Sequence, residues 1–447
     1  MSEVAERAEE NEVRDGYKRV QLGPKEFEIP EHWRHTQFNE VIELNPGYDK
    51  PDSGTFDFVP MDAVSEDERR ITYFTEREKE DCTTTWFKNG DTIYPKITPC
   101  TENGKIAFVE DVETELASGS TEFLVFHPRE GETEPKFVYY LANMQQFRAV
   151  TISLMEGSTG RQRVPNDIFE NNLQIPVPPL PEQRRIAAML STVDEEIRQT
   201  EEIIEATEEL KRGLMQDLLT EGIDNDGFKR IHLGPREMEV PADWEKSKLD
   251  GVAETITRGK QPTYVEEGGV PVLNQSCIYW DGFHPEELKR LDSEVADEWK
   301  DKYFVKSGDV LVNSTGKGTL GRALEWTLES NEYALDSHIT RVHTDESLLD
   351  PTFFRYYLES THGQKMLYAF CVAGSTGQIE LSKTDLQSMP VLLPPVEEQR
   401  EIAEKFDEVG TKIREEKQKK EKLQELKRAL MQDLLTGEVR TPSDLLD

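Results

Sequence analysis

Apolar residues recur at alternating steps of four and three along one stretch of the chain. The positions are Ile186, Leu190, Val193, Ile197, Thr200, Ile204, Thr207, Lys211, Leu214 and Leu218. The same rhythm returns at Ile402, Phe406, Val409, Ile413, Glu416, Lys420, Leu423, Lys427, Leu430 and Leu434. A repeat near 3.5 residues puts such a row on one side of an α-helix, and charged residues fill the remaining positions. Each stretch therefore predicts a long amphipathic helix with a coiled-coil seam and polar interruptions. Pro178, Pro179 and Pro181 stop any strand before the first helix, and Gly222 and Gly437 stand where the helices can end. At 1.5 Å per residue, roughly 37 residues make a rod of about 55 Å. A helix lying on its own domain would give a similar stripe. Two matched helices of equal length in one chain also have a partner in each other, and antiparallel pairing would hold two blocks at opposite ends.

Elsewhere the pattern is shorter. TFDFVPMDAV, DTIYPKI, KIAFV and TEFLVFHP in the first half, and GGVPVLNQSCI, GDVLVNSTGKGTLGRAL and HITRVH in the second, read as brief strands separated by Gly, Asp, Asn and Pro turns. PKFVYYLANMQQF and PTFFRYYLESTHGQKML each read as one helix. VPNDIFENN and LSKTDLQSM have a helical look, and the apolar runs LQIPVP and PVLLPP lead into the long helices.

The order of elements is the same in both halves because the chain is a duplication. KRVQLGPKEFEIPEHW at 18–33 is matched by KRIHLGPREMEVPADW at 229–244, PPLPEQRRIA at 178–187 by PPVEEQREIA at 394–403, and ELKRGLMQDLLT at 209–220 by ELKRALMQDLLT at 425–436. From Pro179/Pro395 to Thr220/Thr436 the offset holds at 216 residues without a gap. Between these anchors the copies diverge. The expected organisation is an acidic tail at 1–16, a mixed α/β block at 17–180, a long helix at 181–222, a second block at 223–396, a second long helix at 397–437 and a tail at 438–447. The fold class is α+β: two mixed α/β domains joined by two long antiparallel coiled-coil helices.

Composition narrows the function. The 447 residues carry 89 Asp and Glu against 53 Lys and Arg, a net charge of −36. That balance argues against wholesale nucleic-acid binding, which needs a basic footprint, unless basic patches are kept locally on an acidic coat suited to a salty, halophilic interior. The four cysteines are scattered and form neither a thiolate metal site nor a dense disulfide framework, and no segment approaches the roughly 20 apolar residues of a membrane span. A cytoplasmic protein is expected.

Catalytic motifs are missing. STGKGTLG at 314–321 has glycines but not the G-x-x-x-x-G-K-[ST] spacing of a phosphate-wrapping loop, and reads better as a turn presenting Lys317 and Arg322. Its counterpart PCTENGK ends on Lys105. There is no H-E-x-x-H, no paired Cys ligand set and no nucleophile elbow, and two copies of one unit leave no separate catalytic domain. No catalytic, cofactor-binding or metal-binding residue is assigned. A DNA reader needs cations for phosphates and forked side chains for base edges. GSTGRQR at 157–163 offers Arg161, Gln162 and Arg163, and GSTGQIELSK at 374–383 offers Gln378 and Lys383. Asp62, Asn274 and Gln275 are further base-reading candidates; Arg69, Arg70, Lys96 and Lys260 join Lys105, Lys317 and Arg322 as phosphate candidates. Each is equally credible as a turn or surface residue.

The variable block followed by PPLPEQRRIA or PPVEEQREIA, a long helix and LKRGLMQDLLT or LKRALMQDLLT resembles the specificity subunit of type I restriction-modification enzymes, across residues 17–440. VPVLNQSCI, GDTIYPKI and GDVLVNST are similar to elements of that family's target recognition domains. The resemblance implies a non-catalytic subunit in a system that defends against foreign DNA. Each domain would bind half of a bipartite target in double-stranded DNA, with the helices fixing the gap. Two modification subunits would carry S-adenosylmethionine for adenine-N6 methylation, and restriction subunits would use ATP and Mg. Ile186, Leu190, Val193, Ile197, Leu214, Met215, Leu218 and Leu219, with Ile402, Phe406, Val409, Ile413, Leu430, Met431, Leu434 and Leu435, would either close the helix pair or dock a modification subunit. A recognition subunit of a type IIB-like fused system, a DNA methyltransferase in its own right and a coiled-coil scaffold without DNA binding are the alternatives.

Overall fold

The computed structural model describes residues 13–22, 25–223, 225, 227–233, 236–329, 332–373 and 379–441. They form two compact units. One contains the chain up to Glu201 together with the chain from Gln418 onward; the other contains Glu202–Lys417.

The two predicted helices run over Leu180–Leu218 and Val396–Thr436, 39 and 41 residues long. Each unit holds part of both. In the first unit Asp194 pairs with Lys427 at 2.5 Å and Glu201 with Lys420 at 3.0 Å, so rising numbers on one helix meet falling numbers on the other: the helices are antiparallel. The polar seam positions have partners. Thr200 is buried and returns its hydroxyl to the Glu196 carbonyl at 2.7 Å. Lys427 lies 5.9 Å from the Tyr140 ring centroid, and Tyr140 donates its hydroxyl to Asp194 at 2.7 Å. The second unit repeats this joint: Lys211 pairs with Glu359 at 2.5 Å, lies 5.4 Å from the Tyr356 ring centroid, and Tyr356 donates to Asp407 at 2.7 Å.

Each unit contains two four-stranded sheets: one has the same strand order in both units, and the other shares three strands but takes its fourth at opposite edges, on 117–119 in the first unit and on 289–291 in the second. In the first unit the orders are 75–78, 55–59, 117–119, 85–87 and 42–44, 123–128, 92–95, 107–108. In the second they are 264–265, 289–291, 270–273, 334–335 and 253–258, 339–344, 309–313, 323–325. Each has one parallel pair, with Phe58 opposite Ser118 and Val272 opposite Ala334; the other pairings are antiparallel. Thr92–Pro95 and Asp309–Asn313 are buried throughout, which fits central strands covered on both faces.

Two elements differ from the sequence expectation. Each predicted domain helix is two: Pro135–Asn143 and Gln145–Ser153, then Pro351–Glu359 and Thr361–Cys371. The break falls on one extended residue, Met144 or Ser360. Ser360 restarts its helix by accepting the Gly363 N–H on its hydroxyl, as an N-cap does. The strands on either side of the repeated Leu-Gly-Pro, which the sequence pattern did not assign, pair antiparallel: Tyr17–Leu22 with Lys25–Pro30, and Phe228–Leu233 with Arg236–Pro241. The apolar runs before the long helices are strands Gln174–Val177 and Pro390–Leu393, paired with Arg34–Gln37 and Glu245–Lys248.

The apolar ends of the helices are spent on cores. Ile186, Leu190, Met431, Leu434 and Leu435 belong to the main core of the first unit with Trp33, Phe38 and Phe126, and Leu430 packs against it. Met215, Leu219, Ile402 and Phe406 belong to that of the second with Trp244 and Phe354, with Leu214 and Leu218 against it. Val193 and Ile413 are buried, while Ile197 and Val409 are half-buried. Of the sixteen positions anticipated as helix-pair or modification-subunit contacts, eleven are buried and five, Ile197, Leu214, Leu218, Val409 and Leu430, are half-buried.

Candidate nucleic-acid interface

The scattered candidates of the first domain converge on one group of loops. Lys105 donates from Nζ to the Met61 carbonyl at 3.0 Å, joining the 95–105 loop to the 3₁₀ turn Met61–Ala63. The Thr98 N–H donates to the Gln162 carbonyl at 3.0 Å and the Val164 N–H to the Lys96 carbonyl at 2.8 Å, which brings in the 156–163 loop. That loop is closed by reciprocal backbone bonds between Glu156 and Arg163 at 2.9 and 2.8 Å, with Gly157 and Gly160 at positive φ. At Gly157 a Cβ would meet the Arg161 carbonyl oxygen at 2.8 Å, so only glycine fits. Arg163 grips Glu122 with two bonds of 2.9 and 2.6 Å, and the guanidinium holds that carboxyl below its ordinary value.

This geometry sorts the candidates. Asp62 is exposed and accepts from the Tyr73 hydroxyl at 2.8 Å. Arg69 is half-buried, bonded to Asn143, and burial works against its charge. Arg70 pairs with Glu68 at 2.6 Å and lies 4.0 Å from Glu201. Lys96 faces Glu122. Arg161 is exposed and has no ion pair with a described residue, and Gln162 is half-buried beside it.

The second domain gathers the equivalent loops. Gln275 follows Asn274 in a 3₁₀ turn, and its carbonyl accepts from Asn313 Nδ2 at 3.0 Å while its Oε1 accepts from Thr315 at 3.1 Å. The Ser314 N–H donates to His338 and the Leu381 N–H to Ser314, both at 2.8 Å, tying the 379–383 segment into the group. Asn274 is a base-reading candidate that the fold uses itself: it is buried, donates to the Glu287 carbonyl at 2.7 Å and accepts from the Ser276 N–H at 2.8 Å. A buried amide bonded at both ends is a turn cap rather than a free reader. Lys317 lies exposed between Gly316 and Gly318, both at positive φ, and Lys383 is exposed at the start of a short helix; neither has an ion pair with a described residue. Lys260 lies 5.1 Å from the Trp299 ring centroid, and Arg322 lies 4.6 Å from that of Tyr279. Gln378 lies outside the described residues.

Sequence reasoning missed the Glu-Gln pair that starts each long helix. Gln183 is buried; its Oε1 accepts from the Glu134 N–H at 2.9 Å and its Nε2 donates to the carbonyls of Glu132 and Pro178 at 3.0 and 2.8 Å. Gln399 repeats all three bonds with Asp350, Leu348 and Pro394. Glu182 accepts from the Trp33 indole at 3.1 Å, and Glu398 from that of Trp244 at 3.0 Å. The signal was the retention of E-Q-R in both copies. Among the described residues no group of His, Cys, Asp and Glu could hold a metal, and no helix is long and apolar enough to cross a membrane.

Comparison with known proteins agrees with this duplicated layout. The chain is 26% identical over 443 residues to a putative type I restriction enzyme MjaX specificity subunit of Methanocaldococcus jannaschii, covering 95% of this chain and 97% of the relative. It is 30% identical over 288 residues to the type I restriction enzyme MjaVIII specificity subunit of the same organism, covering 63% of this chain and 65% of that one. A crystal structure of a type I restriction-modification system S subunit from M. genitalium shares the fold at 15% identity, with a TM-score of 0.55 over 93% of this chain and 98% of the other. The family model of the type I restriction modification DNA specificity domain matches twice, at residues 30–209 and 241–425, once in each repeat, and the chain belongs to that family.

Proposed function

We propose that this chain is the non-catalytic specificity subunit of a type I restriction-modification complex, and that each domain reads one half of a bipartite target in double-stranded DNA. The two helices act as a spacer, so their length sets the number of unread base pairs between the halves. Two modification subunits methylate adenine at N6 with S-adenosylmethionine, and restriction subunits supply ATP- and Mg-dependent cleavage; this chain selects where they act. Arg161, Lys317 and Lys383 register phosphates, with Lys96, Lys260 and Arg322 as further cations, and Gln162 and Gln275 read base edges.

The observation that carries this reading is the pairing of duplication with divergence. The same helix joints and Glu-Gln anchors occur in both copies, whereas the loop clusters differ: the first presents Arg161 and Gln162, the second Lys317 and Gln275. Constant framework with variable loops is what two different half-sites at one spacing require. Co-expression with the natural partner subunits, followed by sequencing of methylated adenines, tests it. A two-part motif with a fixed gap supports the reading; a single contiguous motif, or methylation by this chain alone, contradicts it. A partner that fuses methylation and cleavage in one polypeptide would instead identify a type IIB-like system.

A further inference from the structure

Five of the six tryptophans are nearly closed off from solvent: Trp33, Trp86, Trp244, Trp299 and Trp326 are at most 6% exposed. Trp280 is 38% exposed. It sits at the tip of a tight hairpin over 278–283, where Ile278 bridges Phe283 and the Tyr279 N–H donates to the Gly282 carbonyl at 3.1 Å. Gly282 has a φ of +139°, which a residue with a Cβ would resist. The hairpin is anchored from below, because Phe283 packs edge-on against Trp326 with centroids 5.2 Å apart. An indole presented on a braced turn is a large flat apolar surface held in water, and such surfaces find partners.

Its neighbours identify the partner. Tyr279 carries the Arg322 guanidinium 4.6 Å from its ring centroid and the His284 imidazole at 4.3 Å. The buried Nε of Arg322 has no hydrogen-bond partner among the described residues. The same turn continues from Gln275, and Arg322 closes the loop that exposes Lys317. The two acids beside the tip that face His284, Asp281 and Glu286, are bonded to it at 3.1 and 2.9 Å. An exposed indole whose chain neighbour Tyr279 carries a planar cation, in a loop group that also holds an exposed ammonium and an amide, suits a nucleobase better than an apolar protein surface. The equivalent hairpin of the first domain, bridged from Val64 to Ile71, carries Ser65–Arg70 at its tip and no aromatic residue. The two readers differ in kind at this point.

We propose that Trp280 stacks on a base of the half-site read by the second domain. The inference rests on the DNA-recognition reading above. The test uses the full chain purified with its modification partner and a fluorescein-labelled duplex carrying the site mapped by methylated-adenine sequencing. Affinity and tryptophan emission are measured for the wild type, Trp280→Phe and Trp280→Leu, on that duplex and on one with only the second half-site scrambled. Expected are emission quenching by the specific duplex in the wild type, its absence in Trp280→Leu, and affinity about tenfold weaker in that variant. Trp280→Phe should recover most of the loss, and on the scrambled duplex all three proteins should bind alike. Unchanged affinity and quenching in Trp280→Leu would overturn the proposal, as would equal weakening on both duplexes. Loss of the modification partner with DNA affinity intact would also overturn it, by making Trp280 a protein contact. A wild type that binds neither duplex would instead remove the DNA-recognition reading itself.

Discussion

Arg163 and Glu122 are the residues on which the first domain's 156–163 loop turns. Their double bond holds the Glu122 carboxyl below its ordinary value of 4.5, because ionisation is favoured by the guanidinium it faces. A depressed carboxylate contributes stability that is present above the unfolded value and is lost as pH falls through the folded one. Hydrogen-exchange protection of the loop amides, corrected for intrinsic rates, should therefore hold at neutral pH and fall only below about 4.5. Glu122→Gln should lower protection at neutral pH and flatten its dependence on acid; unchanged protection in that variant would show the pair to be incidental. The candidates at this scale were chosen by residue type, and type alone does not say whether a side chain is free. Arg163 and Arg161 sit two residues apart in one loop and are both exposed, yet only Arg163 has an ion pair among the described residues. Asn274 and Gln275 are adjacent amides, yet one caps a turn and the other faces Thr315. Such distinctions depend on contacts with distant segments, Glu122 and Glu287 among them, and have no local signature.

At the level of elements, Gln183 and Gln399 fasten the start of each long helix to the turn before its domain's helix pair. Replacing Gln183 by alanine strands the Glu134 N–H and the Glu132 and Pro178 carbonyls in a largely buried site. Each stranded group costs about 1–3 kcal/mol, and partial relaxation leaves an expected net loss of about 3 kcal/mol. In a chain of two units the loss should appear as an earlier melting transition of the first unit in calorimetry, whereas Gln199→Ala, on an exposed helix face, should leave the profile unchanged. An unaltered profile in Gln183→Ala would mean that water replaces the amide. The long helices were legible because heptad spacing is a local pattern sustained over many turns. The polar seam positions were legible as interruptions but not as joints, since the meaning of Lys427 or Lys211 comes from a tyrosine in another element. The breaks at Met144 and Ser360 interrupt apolar runs that stay continuous in sequence, and an apolar run alone cannot distinguish one helix from two. The paired strands were visible as a repeat without a structure, because KRVQLGPKEFEIP alternates only weakly.

For the whole molecule, the proposed function has one consequence that a single reader would not share: the distance between two read sequences would belong to the framework rather than to the loops. The strongest test removes one heptad from each long helix at matched positions, which preserves the seam and shortens the pair by about 10 Å. Methylated-adenine sequencing is then compared between the original and shortened chains, each expressed with the natural partner subunits. At 3.4 Å per base pair the account predicts the same two half-sites with a gap about three base pairs smaller. An unchanged gap, or altered half-site letters at the original gap, would contradict it.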